Sequence, residues 1–222
     1  MLLAGDIGGT KTHLGLFDPL PGRPRPLVVR EFETLAYRDL TDLIATVAHG
    51  AQMEHTPIES ACFGVAGVVK GRSAELTNVP WLVDADRIAD TFHIGRVSLL
   101  NDLQALAYAV PLLEDRELHL LQSGVAKRDA NIALIASGTG LGEATLHRVD
   151  GRFVAAASEG GHADFAARTE REIVLLRDLT RRFGRAEVEH VVSGRGLVNI
   201  HRTTHEQPCL VVTDLESLDA PA

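Results

Sequence analysis

Residues 2–17 read LLAGDIGGTKTHLGLF, and this stretch decides the fold of the chain. An apolar run ends at Asp6, two glycines and Thr10 form a tight turn, and an alternating run follows. This pattern predicts a β-hairpin whose turn needs the backbone freedom of glycine. Because Gly8 and Gly9 carry no side chains, the N–H groups of the turn can approach an anion closely, and the Asp6 carboxylate suits a hydrated magnesium ion. A glycine-rich hairpin without a ligand is the simpler alternative.

Two common nucleotide-binding motifs do not fit this spacing. A P-loop has glycine directly before its Lys-Ser/Thr pair, whereas Thr10 precedes Lys11 here. The dinucleotide fingerprint needs a helix after its glycines, whereas residues 11–17 are predicted to form a strand. The stretch resembles instead the first phosphate-binding hairpin of the actin, Hsp70 and sugar-kinase superfamily.

The composition limits the classes of protein and partner. The chain has 222 residues, 45% of them hydrophobic, which is enough for one large or two small domains. Its net charge of -8 argues against nucleic acid as a partner. Neither a signal peptide nor an apolar run of the ~20 residues that span a membrane is found, so we expect a cytoplasmic protein without a membrane partner.

The first 110 residues alternate strands and helices, the pattern of an α/β sheet. Apolar residues recur at helical spacing in some segments, and other segments are short apolar runs bounded by charge. The predicted elements after the first hairpin are strands at 27–34, 60–69 and 97–100 and helices at 38–55, 83–92 and 101–109.

Three polar residues in this half are candidate site residues. Asn101-Asp102 follows a predicted strand and opens a predicted helix. Either residue suits a helix cap, but the carboxyl end of such a strand is also where α/β sheets bind ligands, so Asp102 is a candidate general base. Asn78 precedes Trp81 in a proline-containing segment, which is either a turn with Trp81 at the edge of the core or a segment that lines a cleft with Asn78.

Residues 131–157 repeat the opening design. A strand at 132–136 is followed by the glycine turn Ser137–Gly142 and by strands at 143–149 and 152–157. Such an internal repeat suggests two related lobes. Two glycine turns that face each other can hold a polyphosphate between them.

A polar loop follows, with Glu159 and His162 separated by two glycines. No companion ligands occur at metal-site spacing, so zinc is not favoured. The loop suits a polyhydroxylated ligand, because the carboxylate can accept from hydroxyl groups and the imidazole can donate to them. An ordinary polar turn is the alternative. Further on, Glu189 is either a solvated charge at a helix end or another carboxylate at the cleft. Helices are predicted at 170–183 and at 194–201, the second capped by Ser193.

The chain resembles the bacterial glucokinases, hexokinase-like members of the actin, Hsp70 and sugar-kinase ATPase superfamily. Seven motifs carry the resemblance in the same order over most of the chain. They are Gly5–Thr10, Val65–Gly67, Thr77-Asn78 with Pro80-Trp81, Asn101-Asp102, Gly138–Gly142, Glu159–Phe165, and Val192–Gly194 with Gly196–Asn199.

The resemblance implies an α/β fold of the actin-like ATPase (ribonuclease H-like) type, with two lobes, mixed sheets and an incomplete second lobe. The first, small lobe is expected at 1–110, with the phosphate hairpin and the catalytic aspartate. A partial large lobe is expected at 111–202, with the second hairpin and the sugar loop. Residues 203–222 are expected to form a divergent tail.

The resemblance also implies an activity, the ATP-dependent phosphorylation of glucose at its 6-hydroxyl in glycolysis. Asp102 would be the catalytic base, and Asp6 would hold Mg²⁺ through water. ATP and Mg²⁺ are the implied cofactors, glucose is the implied substrate, and a homodimer is a further expectation. The implied sugar-binding residues are Asn78, Asn101, Asp102, Gly138, Glu159, His162 and Glu189, and the implied ATP-binding residues are Asp6, Gly8, Gly9, Thr10, Lys11, Gly138, Thr139 and Gly140.

The end of the chain departs from the family pattern. Family members continue past the Ser-Gly-x-Gly-Leu segment with a glycine-rich, adenosine-binding segment, whereas residues 203–222 contain no glycine. The alternative to a kinase is therefore a non-catalytic glucose-binding protein, or sensor, that lacks the adenosine-binding region.

Overall fold

A computed structural model describes residues 1–50, 57–76, 79–125, 127 and 129–204. The chain forms two compact units, Met1–Ala126 and Lys127–Ala222. The lobes at 1–110 and 111–202 and the tail at 203–222 stay predictions. Asn78 lies outside the described residues.

The first unit contains eight strands and three α-helices among its described residues. The strands are β1 (Leu2–Ile7), β2 (Lys11–Asp18), β3 (Arg25–Glu33), β4 (Ser60–Val65), β5 (Gly67–Lys70), β6 (Ser73–Leu76), β7 (Leu82–Asp84) and β8 (Val97–Asn101). The helices are α1 (Leu40–Gly50), α2 (Ala85–Phe92) and α3 (Asp102–Ala109).

The main sheet of this unit has the strand order β3-β2-β1-β4-β8. Strand β1 is antiparallel to β2 and parallel to β4, and β4 is parallel to β8. Strands β5, β6 and β7 form a separate antiparallel sheet. The predicted α/β class with mixed sheets is thus confirmed.

The core lies against one face of the main sheet. Leu3 and Ile7 of β1 point into it, while Asp6 between them is exposed on the opposite face, because successive side chains of a strand alternate. Helix α1 contributes apolar residues at the i, i+3, i+4, i+7 spacing that places them on one side of a helix. These helix residues are Leu40, Leu43, Ile44 and Val47, each at most 3% exposed.

The single strand predicted at 60–69 is wrong. Strand β4 ends at Val65, and the chain enters β5, which pairs with β6 in the other sheet. Gly67 permits this pairing, because a Cβ atom at its position would collide with the carbonyl oxygen of Glu75. Trp81 is 5% exposed and packs in the core, as the simpler interpretation of that segment predicted.

The second unit repeats the antiparallel opening. Its strands are β9 (Ile132–Ser137), β10 (Leu141–Val149) and β11 (Arg152–Ser158), in the order β11-β10-β9, and its helices are α4 (Glu170–Phe183) and α5 (Gly194–Thr204). Helix α4 starts at a capping box formed by Thr169 and Glu172 and ends at Gly184, whose φ of 79° glycine readily adopts. No helix in the described part of the chain is both long and apolar enough to cross a membrane.

Candidate active site

The first glycine turn joins β1 to β2 as predicted. Its backbone closes through a hydrogen bond of 3.0 Å from the N–H of Gly8 to the carbonyl of Lys11. A Cβ atom at Gly8 would lie 2.7 Å from that carbonyl oxygen, so the turn has room only for glycine. Asp6 and Thr10 are exposed beside the turn, where an anion or a hydrated cation can reach them.

Thr34 holds this turn from outside the hairpin, and sequence reasoning missed it. Its fully buried hydroxyl donates to the carbonyl of Gly8 at 2.9 Å and lies 2.9 Å from the hydroxyl oxygen of Thr12. Its backbone N–H donates to the carbonyl of Thr10, also at 2.9 Å. Thr34 therefore fixes both ends of the turn through the pairing of β2 with β3.

Lys11, a predicted phosphate-binding residue, has a partner on β3. Its ammonium lies 2.7 Å from Oε1 of Glu31, and this hydrogen bond raises the pKa of Lys11. His13 lies 3.1 Å from the other oxygen of Glu31. Lys11 is exposed, so a phosphate can reach its ammonium group. Because that group already contacts Glu31, the phosphate would have to share Lys11 with this carboxylate or replace it.

Asn101, rather than Asp102, is the cap of helix α3. Its Oδ1 accepts from the N–H of Leu103 at 3.1 Å, and its own N–H donates to Oε1 of Gln104 at 3.2 Å, which completes a capping box. Its Nδ2 donates to the carbonyl of Gly67 at 3.4 Å. An amide has two donor protons and two lone pairs on oxygen, so Asn101 keeps capacity for a ligand.

Asp102 occupies the first helical position, and one of its oxygens, Oδ1, accepts from the N–H of Leu103 at 2.8 Å. Burial raises the pKa of the Asp102 carboxyl above its ordinary 3.8; the Leu103 hydrogen bond opposes this rise, and the negative charge of Asp6 adds to it. A half-buried carboxylate with a raised pKa at a strand end has the properties of a general base.

Gly64 allows Asp102 to approach the exposed face of the sheet that carries Asp6. In the register, Asp6 of β1 is opposite Gly64 of β4. A Cβ atom at Gly64 would lie 3.0 Å from Cβ of Ala105 and 3.6 Å from Cα of Asp102, both on α3. The absent side chain lets the start of α3 sit on the sheet, so the two carboxylates share one face at the carboxyl ends of parallel strands.

The second glycine turn, between β9 and β10, is braced by Glu189. Oε2 of Glu189 accepts from the N–H of Leu141 at 2.8 Å, and a Cβ atom at Gly140 would lie 2.5 Å from the same oxygen. At the other side of the turn, the carbonyl of Gly138 accepts from the N–H of Gly194 at 2.8 Å. Glu189 is half-buried against this turn rather than a solvated charge.

A short backbone ladder brings the predicted sugar residues of this unit together. The N–H of Val188 donates to the carbonyl of Ala163, and that of Glu189 donates to the carbonyl of Gly161, each at 2.9 Å. The loop with Glu159 and His162 is thereby attached to the segment with Glu189. Nε2 of His162 lies 3.8 Å from Oε2 of Glu159.

Glu187 is a second residue that sequence reasoning missed. Its Oε2 lies 2.8 Å from Nδ1 of His162. This hydrogen bond is the main cause of a raised His162 pKa, and the charges of Glu189, Glu187 and Glu159 add to it, whereas burial opposes it. The partnership with His162 in turn lowers the pKa of Glu187.

The described residues contain no group of three or more His, Cys, Asp or Glu side chains arranged to hold a metal ion. Mg²⁺ in phosphate-transferring enzymes commonly uses one or two carboxylates together with phosphate oxygens and water. Asp6, exposed next to a turn with accessible N–H groups, fits that kind of site. The residues present therefore suit a magnesium ion that arrives with a phosphate ligand.

The structure thus assembles the predicted residues into two sets. In the first unit, Asp6, the turn at 8–10 and Asp102 lie at the carboxyl ends of the parallel strands of the main sheet. In the second unit, the turn at 138–140 and the Glu159, His162 and Glu189 side chains lie along the β9–β10 end and the 186–189 segment.

This arrangement defines the class of the protein as the actin-like ATPase fold of the sugar kinases. The structure of a glucokinase from an Antarctic psychrotroph matches with a TM-score of 0.81 and 29% identity, over 91% of this chain and 63% of that one. A glucokinase from Balamuthia mandrillaris, crystallised in complex with glucose, matches with a TM-score of 0.73 and 23% identity, over 98% and 66%. The fold class predicted from the sequence is confirmed.

Within that class, the chain belongs to the glucokinase family, whose model matches residues 3–220. It is 39% identical to the glucokinase of Nostoc punctiforme over 205 residues, which cover 91% of this chain and 60% of that protein. It is 34% identical to the glucokinase of Photorhabdus laumondii, over 93% of this chain and 64% of that protein. The chain therefore spans about three fifths of the length of such relatives.

Proposed function

We propose that the protein transfers the γ-phosphoryl group of ATP to the 6-hydroxyl of glucose. The observation that carries the proposal is the position of Asp102, a half-buried carboxylate with a raised pKa on the same sheet face as Asp6 and the first glycine turn. Membership of the glucokinase family supports glucose as the sugar.

Asp102 acts as the base in this proposal. The bond from the sugar O6 to phosphorus forms while the bond from phosphorus to the bridging oxygen of ADP breaks, and the hydroxyl proton passes to Asp102. We assign that proton to Oδ2, because Oδ1 accepts from Leu103. A primary hydroxyl is a weak nucleophile, so a base aligned with it contributes typically 10²–10⁴-fold.

The two glycine turns bind phosphate oxygens through their backbone N–H groups, with Thr10, Lys11 and Thr139 as further donors. Asp6 would hold Mg²⁺, and the ion would supply positive charge that offsets the charge on the phosphates. Glu159, His162 and Glu189, with Asn78, Asn101 and Gly138, bind the sugar so that the 6-hydroxyl is the one presented. A cytoplasmic location and a homodimer remain predictions.

The decisive experiment is a coupled assay for glucose-dependent release of ADP from Mg-ATP. We expect turnover by the wild-type chain and a loss of at least 10²-fold in kcat for Asp102→Asn. Asp90→Asn, which removes an exposed carboxylate from α2, is the matched control and should keep full activity. Glucose binding without turnover in the wild type would favour the glucose-binding or sensor alternative, and retained turnover in Asp102→Asn would remove Asp102 from its role.

A further inference from the structure

His162 is held by a carboxylate that the family motifs do not include. Nδ1 of His162 lies 2.8 Å from Oε2 of Glu187, while Nε2 on the other side of the ring lies 3.8 Å from Oε2 of Glu159. The Glu187 side chain is only 20% exposed, whereas those of His162 and Glu159 are 52% and 89% exposed. The ring is therefore anchored on its inner side and presents Nε2 to a ligand.

The backbone fixes Glu187 in this position. The N–H of Phe165 donates to the carbonyl of Ala186 at 3.0 Å, and Asp164 forms an isolated bridge with Glu187. The backbone N–H of Glu187 itself donates to Nδ1 of His190 at 3.2 Å. Glu187 is thus part of the backbone ladder that attaches the loop with Glu159 and His162, so backbone hydrogen bonds fix the position from which its carboxylate reaches His162.

The chemistry of this pair restricts the protonation of His162. An ionised carboxylate only accepts hydrogen bonds, so Nδ1 must carry the proton that it donates to Glu187. In the neutral ring, Nε2 then has a lone pair and no proton. Only the doubly protonated imidazolium offers an Nε2–H donor to the ligand side.

We propose that Glu187 is a positioning residue that makes His162 bind a sugar hydroxyl as an imidazolium. The hydroxyl oxygen accepts from Nε2–H of His162, and the hydroxyl proton is donated to Glu159. The gap of 3.8 Å between Nε2 and the Glu159 oxygen is too long for a direct hydrogen bond, so both atoms keep capacity for a hydroxyl that lies beside them. This inference rests on the proposed function, because it takes the ligand to be a sugar.

The proposal predicts how sugar affinity depends on pH. The pKa of His162 lies above its ordinary 6.5, chiefly because of the hydrogen bond to Glu187. The tighter-binding form is the protonated one, so affinity is full below this raised pKa and falls as the pH rises through it. The charged or titratable groups around the ring and its anchor are Glu159, Asp164, Arg185, Glu187, Glu189 and His190.

The test is calorimetric titration of glucose into the whole chain between pH 6 and pH 9. Wild-type affinity should fall at the alkaline end. Glu187→Gln should keep affinity nearly constant with pH, because the amide can donate to Nδ1 and leave a neutral ring with a proton on Nε2. Glu170→Gln, which removes an equal charge from the exposed first turn of α4, should behave as the wild type does.

A second measurement needs no variant. In ¹⁵N NMR spectra of the imidazole nitrogens at high pH, the neutral ring of His162 should carry its proton on Nδ1. A proton on Nε2, or a wild-type affinity for glucose that is independent of pH, would overturn the role of Glu187. A chain that binds no glucose at any pH would instead overturn the proposed function itself, so the two failures are distinguishable.

Discussion

At the scale of single residues, two carboxylates on one sheet face influence each other. The negative charge of Asp6 adds to the pKa rise that burial causes at Asp102. We therefore predict that Asp6→Asn lowers the pKa of Asp102. Titration of the Asp102 carboxyl carbon by ¹³C NMR measures this directly.

The lower pKa of Asp102 in Asp6→Asn should also change the pH dependence of activity. A general base must be ionised, so activity falls as the pH drops through the raised pKa of Asp102. In Asp6→Asn, the acid limb of the kcat/KM profile should move to lower pH, whatever happens to the maximal rate. Asp18→Asn, which breaks only an ion pair with Arg25 at the far end of β2, serves as the control. An unmoved Asp102 titration in Asp6→Asn would contradict the coupling.

Residue types and local motifs nominate Asp6, Asp102, Glu159 and His162 from the sequence, and their roles stay predictions. They could not reveal Thr34, which acts on a turn that precedes it by more than twenty residues through the β2–β3 pairing. Sequence reasoning missed Glu187 for the same reason. It lies 25 residues from His162 and contacts it only because tertiary backbone hydrogen bonds join the two segments. A residue whose role is to orient another carries no signal at its own position in a single sequence.

At the scale of elements, the first phosphate turn depends on Thr34, the residue that follows β3. Replacing Thr34 with valine preserves its volume but removes the donor to Gly8 and leaves the Thr12 hydroxyl buried without its partner. We predict a loss of about 1–3 kcal/mol in the free energy of unfolding. The KM for ATP should rise severalfold, because the turn loses its fixed shape, while the KM for glucose should change little.

Two controls separate this role from general destabilisation. Thr34→Ser keeps the hydroxyl and should restore most of the nucleotide affinity. Thr46→Val removes a hydroxyl from an exposed position on α1 and should leave both KM values unchanged. Equal changes in both KM values for Thr34→Val would show that Thr34 supports the unit as a whole rather than the turn.

Elements were predicted well where the hydrophobic periodicity and the capping residues agree. Helix α4 is an example, with a capping box at one end and a left-handed glycine at the other. They were predicted poorly where one apolar run serves two sheets. Residues 61–69 contain no charged or polar uncharged side chain apart from Cys62, yet β5 pairs with β6 in a different sheet from β4, and the missing side chain of Gly67 permits the close approach of the Glu75 backbone. Local hydrophobicity does not encode which sheet a strand joins.

At the scale of the whole molecule, the internal repeat carries the prediction of two lobes. Both units open with an antiparallel three-stranded meander, β1-β2-β3 in one and β9-β10-β11 in the other, with a glycine turn between the first two strands. The proposed chemistry is divided between them. The proposed base is in the first unit, and the three side chains with carboxylate or imidazole groups for the sugar are in the second.

This division predicts that glucose binding survives the loss of the base. Glucose at 100 times its Kd should stabilise the chain by about 2.7 kcal/mol and raise the unfolding temperature by roughly 5 °C or more. Asp102→Ala should keep most of this rise, whereas His162→Ala should lose most of it, because His162 belongs to the sugar loop. Hydrogen exchange measured with and without glucose should place the protection at residues 159–162 and 186–189, where the ladder joins the loop to the Glu187–Glu189 segment. The contrary result is that Asp102→Ala abolishes the glucose-induced rise in unfolding temperature, with protection from hydrogen exchange confined to the first unit. That result would mean that the binding energy for the sugar comes from the base and not from the loop.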